Sequence, residues 1–475
     1  MRFKIDQMLA VLLVLSLAGC ANSDKSFLAI NYQRAAQIEG PDRNPVLVVP
    51  GLLGTTLRDT RNGELVWGGY DGVSVDPSKP NGLRALALPL SPAADGRVND
   101  DDAIEPTWVL ERAHVKLLGL PFNLNVYAGI LQALGAGGYR DESLGTAGVI
   151  DYGPGHFTCF QFPYDWRRDI VESAKKLSAF IETKKQFVAN EYEQRFGIKT
   201  DDIKFDIVAH SMGGLVVRYY LMYGDQDLPK DGSLPELNWA GAKQVERVIL
   251  VGTPNAGSAL TVRNLLNGLS LGFLQPTYTP TLLGTYPSTY QLLPRAKSAQ
   301  VVWADSGKSV GDLFDPELWK QNRWGLASDA IDPALEMLLP DQTNAAERRK
   351  IALSFQSRLL ARAKQFQAAI DRPHQKPDEL QMMMVIGDNR ATASQISVDR
   401  TTATAAVTAF EDGDGTVLRS SVLHDVREDK SWQPALMTPL DYDQVLFLPE
   451  KHTALTDSAT FTDNILYWLL EDPRP

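Results

Sequence analysis

The sequence predicts an α/β protein: a mostly parallel sheet with helices on both faces. Three observations carry this expectation. Short aliphatic runs such as Val46-Leu47-Val48-Val49 and Val248-Ile249-Leu250-Val251 are apolar at every position, as in strands buried on both faces. Segments with helical spacing of apolar residues fall between these runs, as βαβ units require. One strand-to-helix junction carries a serine between small residues, at Ala209-His210-Ser211-Met212-Gly213.

Composition bounds the function classes. The 475 residues are 44% hydrophobic and 22% charged, enough apolar content to bury a sizeable core and to exclude wholesale disorder. The 47 Lys+Arg against 58 Asp+Glu give a net charge of -11, which is no electrostatic footprint for nucleic acid. Only 2 Cys are present, too few for a disulfide scaffold or a multi-cysteine zinc site. Length alone suggests about three domains, but one α/β core with insertions can absorb it.

The elements follow in order. Arg2 and Lys4 precede an apolar run from Met8 to Ala18, too short to span a bilayer and suited to a signal-peptide core. It ends in Leu17-Ala18-Gly19-Cys20, which resembles a bacterial lipobox. The expectation is a lipoprotein signal over 1–19, lipidation at Cys20 and a polar tether over 20–43. Ala21 after the cysteine favours the outer membrane if the cell is Gram-negative. The α/β domain then covers 44–475. Strands are expected at 46–49, 158–162, 203–209, 248–251, 382–386 and 445–448. Helices are expected over 126–134, 169–196, 213–223, about 343–370 and 457–470. Two stretches break the alternation, at about 58–120 and 259–380, and are expected as insertions over the sheet edge. Cys159 sits in an alternating aromatic strand and reads as a buried structural thiol.

The chemistry centres on Ser211. Ala-x-Ser-x-Gly is a variant of the nucleophile elbow, a sharp turn where larger side chains two residues either side would collide. The bare pattern arises by chance, but a buried strand before it and an aliphatic helix after it are rarer company. A serine hydroxyl needs a neighbouring base. Of the 6 His, His210 lies in the elbow and should point away. His114, His156 and His374 break the order serine, acid, histidine of α/β-hydrolases, and His424 precedes the last strand. His452, between that strand and the final helix, is the expected base. For the acid, Asp414 has glycine on both sides, Asp412 lies two residues earlier, and Asp388 directly follows a strand. An EF-hand is excluded, because Val417 and Leu423 stand where glycine and glutamate are required. Two backbone amides should bind an oxyanion, Met212 after the nucleophile and Leu52 in the loop after the first strand.

Taken together, Val49-Pro50-Gly51-Leu52-Leu53-Gly54, Pro163-Tyr164-Asp165-Trp166-Arg167, the Ser211 block, Gly252-Thr253-Pro254-Asn255-Ala256-Gly257-Ser258, Gly413-Asp414-Gly415-Thr416-Val417 and Lys451-His452 resemble the lecithin:cholesterol acyltransferase family, which includes lysosomal phospholipase A. The resemblance spans roughly residues 44 to 470. It implies an α/β-hydrolase with cap or lid insertions and a triad of Ser211, Asp414 and His452, preferring Asp414 to Asp388. It also implies an oxyanion site at Leu52 and Met212, no metal or cofactor, and acyl-ester hydrolysis or transfer on a phospholipid-like substrate. The lid disulfides of animal members are impossible here. Two readings of Asp165 and Arg167 stay open, an ion pair bracing the top of the sheet and a substrate contact. The alternative functions are a catalytically silent lipid- or protein-binding lipoprotein and an amidase or thioesterase.

Overall fold

Each apolar run finds two strand neighbours or one, and the six strands form a single parallel sheet. In the computed structural model these are β1 (Val46–Val49), β2 (Cys159–Gln161), β3 (Phe205–His210), β4 (Val245–Val251), β5 (Gln381–Gly387) and β6 (Gln444–Leu448). Their order across the sheet is β6-β5-β4-β3-β1-β2, every pair parallel. The structure describes residues 28, 32, 40–68, 75–90, 102–109, 112–117, 120–125, 127–143, 157–270, 277–295, 300–427 and 435–474. The expected signal, Cys20, most of the tether and His156 lie outside the described residues.

The two faces explain the unbroken hydrophobicity. Leu47, Val49, Ile207, Ala209, Val248 and Leu250 face one core. Val46, Val48, Val208, Ile249, Val251 and Val385 alternate into the other. Each is shielded from water, and full burial of such a side chain stabilises by roughly 1.5–3 kcal/mol. The helices α1 (Ala128–Ala136) and α6 (Ala459–Leu470) cover the second face. The helices α2 (Ile170–Phe196), α3 (Met212–Tyr223), α4 (Ala259–Asn267) and α5 (Ala345–Ile370) contribute to the first core. Helix α2 starts where the Asp169 carboxylate accepts from the Val171 N–H at 2.7 Å, a side-chain N-cap. It stops at Gly197, whose φ of 68° is the left-handed conformation of a C-cap. Asp169 also accepts from Gln291 and Arg362, so it ties the later helices to α2.

Described parts of the two insertions meet around Trp166, and helices α4 and α5 of the second also pack against the first core. Trp67 of the first and Tyr278 and Tyr286 of the second meet around Trp166, which follows β2. The two insertions also line a common cavity of about 450 Å³, with Leu83 on one side and Met337 on the other. One unit was not expected from the sequence. Arg390–Val398 and Ala405–Gly413 form an antiparallel hairpin, and Gln300–Trp303 pairs with its first strand. That hairpin leads directly into Asp414.

Candidate active site

The elbow is built by strain and close contact. Ser211 has φ 55° and ψ -128°, a conformation costing a non-glycine residue on the order of 1–3 kcal/mol. It is held by its own N–H donating to the Val251 carbonyl at 2.8 Å, and by its carbonyl accepting from Gly214 at 3.0 Å. A Cβ on Gly213 would strike the Pro50 carbonyl, and one on Gly214 the Thr253 side chain. This is why small residues follow the serine.

The Ser211 hydroxyl lies 2.9 Å from His452 Nε2. His452 Nδ1 lies 2.6 Å from Asp414 Oδ2. One tautomer satisfies both contacts: Nδ1–H donates to the carboxylate, and Nε2 accepts from the hydroxyl. The other carboxylate oxygen accepts from the Thr416 and Val417 amides at 2.9 and 2.7 Å. Burial pushes the Asp414 carboxyl up, but the His452 charge and hydrogen bond and the two amides outweigh it and hold it below the ordinary carboxylate value. Asp414 therefore remains an anion in a site where it is 1% exposed. His452 is anchored through its backbone as well, its N–H donating to the Asp414 carbonyl at 3.0 Å.

Three glycines make room for this arrangement. Gly387 ends β5 where a Cβ would collide with Asp414. Gly252 follows β4, where a Cβ would lie 3.1 Å from His452 Nδ1. On Gly51 it would lie 2.7 Å from Ser211 Cβ. Of the three, Gly51 and Gly252 stand in the sequence motif blocks and Gly387 stands in none. The signal was a glycine just past a buried strand.

The loop expected to bind an oxyanion follows β1. Gly51 N–H donates to the Tyr127 hydroxyl at 2.7 Å, and Gly54 N–H to the Gly51 carbonyl at 3.0 Å. Leu53 has φ 63°, and its carbonyl accepts from the Trp67 indole at 2.9 Å. Among the described residues the Leu52 amide has no such partner. Met212 is the first residue of α3, where a backbone N–H lacks an intrahelical acceptor.

The other candidates sit elsewhere. Asp388 Oδ2 accepts from Arg419 at 3.2 Å, and Asp412 is exposed on the hairpin. His424 is buried 3.8 Å from Asp371, with φ 49°. His374 Nδ1 is 2.7 Å from the Arg372 carbonyl. His114 lies on the strand Arg112–Leu117, which pairs with Leu120–Asn125 and is not a strand of the main sheet. His210 corrects the expectation that it points away. It leaves the Ser211 hydroxyl but stays beside the site, its ring 4.8 Å from that of His452. Its Nδ1 is 3.2 Å from the Tyr127 hydroxyl and its Nε2 is 3.1 Å from the His452 carbonyl. Burial, followed by the nearby His452 charge, lowers its pKa to about 3, so this imidazole is neutral.

The Asp165–Arg167 pair has the bracing arrangement. Arg167 is fully buried, with Nε and Nη2 donating to the Asp165 carboxylate at 2.9 and 2.6 Å. It also reaches Asp102 and the Leu86 carbonyl in the first insertion. The Trp166 indole donates to the Thr55 carbonyl at 3.0 Å. The motif thus joins the sheet to the insertion. Cys159 is buried in β2, and burial raises its thiol pKa well above the ordinary value.

The lecithin:cholesterol acyltransferase family model matches residues 126–331. Over those residues, less than half of the chain, the sequence is similar to the lecithin:cholesterol acyltransferase family. The match includes Ser211 and Gly252–Ser258 and ends before Asp414 and His452. A solved structure described as the Tle4–Tli4 complex is similar at TM-score 0.52 and 14% identity, covering 89% of this chain and 97% of that one. That likeness is one of fold, and the parallel sheet covered by helices on both faces is the α/β architecture expected. EstA from Clostridium botulinum matches at TM-score 0.33 and 12% identity, over 92% of this chain and 90% of its own. Lipase 1 from Pelosinus fermentans matches at 0.35 and 11%, over 91% and 99%. No curated protein matches the chain.

Proposed function

We propose that the protein is a lipid-anchored serine acyl-ester hydrolase or acyltransferase acting on phospholipid-like esters. The observation that carries the reading is the continuous hydrogen-bonded run from the Ser211 hydroxyl through His452 to the buried Asp414 carboxylate. His452 Nε2 takes the hydroxyl proton as Ser211 Oγ attacks the ester carbonyl. Asp414 holds the imidazole in the required tautomer and stabilises its charged form. The Leu52 and Met212 amides receive the oxyanion of the tetrahedral intermediate. The imidazolium then returns its proton to the leaving alcohol, and an acyl-enzyme remains on Ser211. Water or a lipid alcohol removes the acyl group by the same steps in reverse.

The anchor in this reading is Cys20, lipidated after removal of residues 1–19, with the domain held at the periplasmic or outer face of a bacterial envelope membrane, the outer one favoured by Ala21. Among the described residues no helix is long and apolar enough to cross a membrane, so the anchor would supply the membrane proximity that a lipid substrate requires. The test gives protein lacking residues 1–20 a series of esters of rising acyl length, then phospholipid with and without an alcohol acceptor. Activity on long acyl chains that disappears in Ser211→Ala supports the reading. Activity confined to two-carbon acyl esters contradicts the lipid substrate. Metabolic labelling with a fatty acid checks the anchor, which predicts incorporation that Cys20→Ser abolishes.

A further inference from the structure

Two groups that the proposed mechanism does not use lie directly behind it. Tyr127 and His210 are both buried, and each bridges two parts of the site. The Tyr127 hydroxyl accepts from the Gly51 N–H at 2.7 Å and lies 3.2 Å from His210 Nδ1. His210 Nε2 lies 3.1 Å from the His452 carbonyl. Only one proton arrangement satisfies all three contacts. A carbonyl oxygen can only accept, so His210 Nε2 must carry the hydrogen. A neutral imidazole then has a bare Nδ1, which must accept from the tyrosine. The phenol is free to donate because its other contact is with a donor, the Gly51 amide. The low pKa of His210 agrees with this neutral form.

We propose that Tyr127 and His210 are positioning residues for acyl transfer, a directed chain of hydrogen bonds that fixes the oxyanion loop relative to the backbone of the general base. This rests on the serine mechanism above. Its ends lie on two parts of the site far apart in sequence: the loop after β1 and the segment after β6. The loop is already crowded against the phenol, since a Cβ on Gly54 would lie 2.6 Å from the Tyr127 hydroxyl oxygen. The Gly51 amide is consumed by Tyr127, so it is not an oxyanion donor, and the next amide, Leu52, is the one aimed by the contact. At the other end, His452 receives the chain on its carbonyl and donates its N–H to the Asp414 carbonyl. The imidazole is thereby held at its backbone as well as at Nδ1.

The decisive variants are Tyr127→Phe and His210→Phe, alone and together, on a soluble ester. Outright loss of one oxyanion donor costs about 100- to 1000-fold in kcat, so misaiming one should cost about 10- to 100-fold. KM should change less than about 3-fold, because the chain acts on the transition state. Affinity for a trifluoromethyl ketone, which Ser211 converts to a tetrahedral oxyanion adduct, should fall by the same factor as kcat. The double variant should lose little beyond the worse single one, since both break one chain. Wild-type kcat and ketone affinity in folded Tyr127→Phe would overturn the proposal. So would fully multiplicative losses in the double variant, or a parallel loss of kcat and KM. If the variants fail to fold, nitrogen NMR of the wild-type imidazoles decides. The proposal requires His210 as the Nε2–H tautomer and neutral at pH 5, and an Nδ1–H tautomer or titration near 6.5 overturns it. Failure of the serine mechanism is distinct, because it appears as activity retained in Ser211→Ala.

Discussion

Gly51→Ala isolates the contact between the oxyanion loop and the nucleophile. The added methyl would lie 2.7 Å from Ser211 Cβ and 3.2 Å from its Oγ. Carbon atoms in contact sit at about 3.5–4.0 Å, so the loop and the serine must separate by about 1 Å. A misplacement of that size at reacting atoms costs on the order of 100-fold, or about 2.7 kcal/mol of transition-state stabilisation. Stability should fall by no more than that. Gly51 is not among the positive-φ glycines, so alanine suits its backbone and gains roughly 0.4–1 kcal/mol by restricting the unfolded chain. Overpacking costs about 1–3 kcal/mol, leaving a net loss of about 0 to 2.6 kcal/mol. The assay is kcat/KM on a soluble ester alongside urea unfolding, with Gly40→Ala as control, since a Cβ there meets nothing within 4 Å. Gly51→Ala with kcat/KM within about 3-fold of wild type would refute the packing argument.

The acid, the brace and the buried histidines yield further tests. Asp414→Asn should lower kcat by about 10⁴-fold, by analogy with other serine triads, and Asp388→Asn should leave it near wild type; the reverse order in steady-state kinetics would move the acid to Asp388. Arg167→Leu strands the buried Asp165 and should destabilise by about 3–5 kcal/mol, seen as a lower urea midpoint; an unchanged midpoint would show that the pair does not brace the fold. Acid should weaken the fold through its imidazoles, because burial lowers His424 from 6.5 to about 4 against the pull of Asp371, with Arg218 and Arg295 opposing its charge. Above pH 6.5 neither the native nor the unfolded chain protonates this ring, and its contribution is fully present. As pH falls from 6.5 toward about 4 the unfolded chain binds more protons and stability is lost. Unfolding free energies measured between these pH values should show a shallower decline in His424→Asn, and an unchanged slope would contradict this origin.

The sheet was legible because burial on both faces writes itself as unbroken apolar sequence, and all six strands fell within two or three residues of expectation. Ser211 and His452 were legible as candidates from order and context, and the structure sets them 2.9 Å apart. Asp414 was not, because Asp388 also follows a strand, and the preference came from family resemblance. What separates them is the hairpin Arg390–Gly413, whose small residues, such as Ala391, Ala393, Ser394, Ala405 and Ala406, carry little strand signal. Its pairing is set by tertiary contact with Gln300–Trp303, and it carries the chain from β5 to the position of Asp414. Alternation along β3 put His210 on the opposite sheet face from Ala209, but it could not reveal that the His452 segment returns across that face. The glycine clearances at Gly51, Gly252 and Gly387 are likewise contacts between distant segments, invisible to local pattern.

The central claim is that an acyl group is carried on Ser211. The most direct measurement mixes the protein with a phospholipid or long-chain ester, quenches in acid within milliseconds, and reads the peptide containing Ser211 by mass spectrometry. The account predicts an acyl mass on Ser211 that rises before alcohol-acceptor products form and is absent in Ser211→Ala. Turnover with no acyl mass on Ser211, or an acyl mass on another residue that persists in Ser211→Ala, would contradict it.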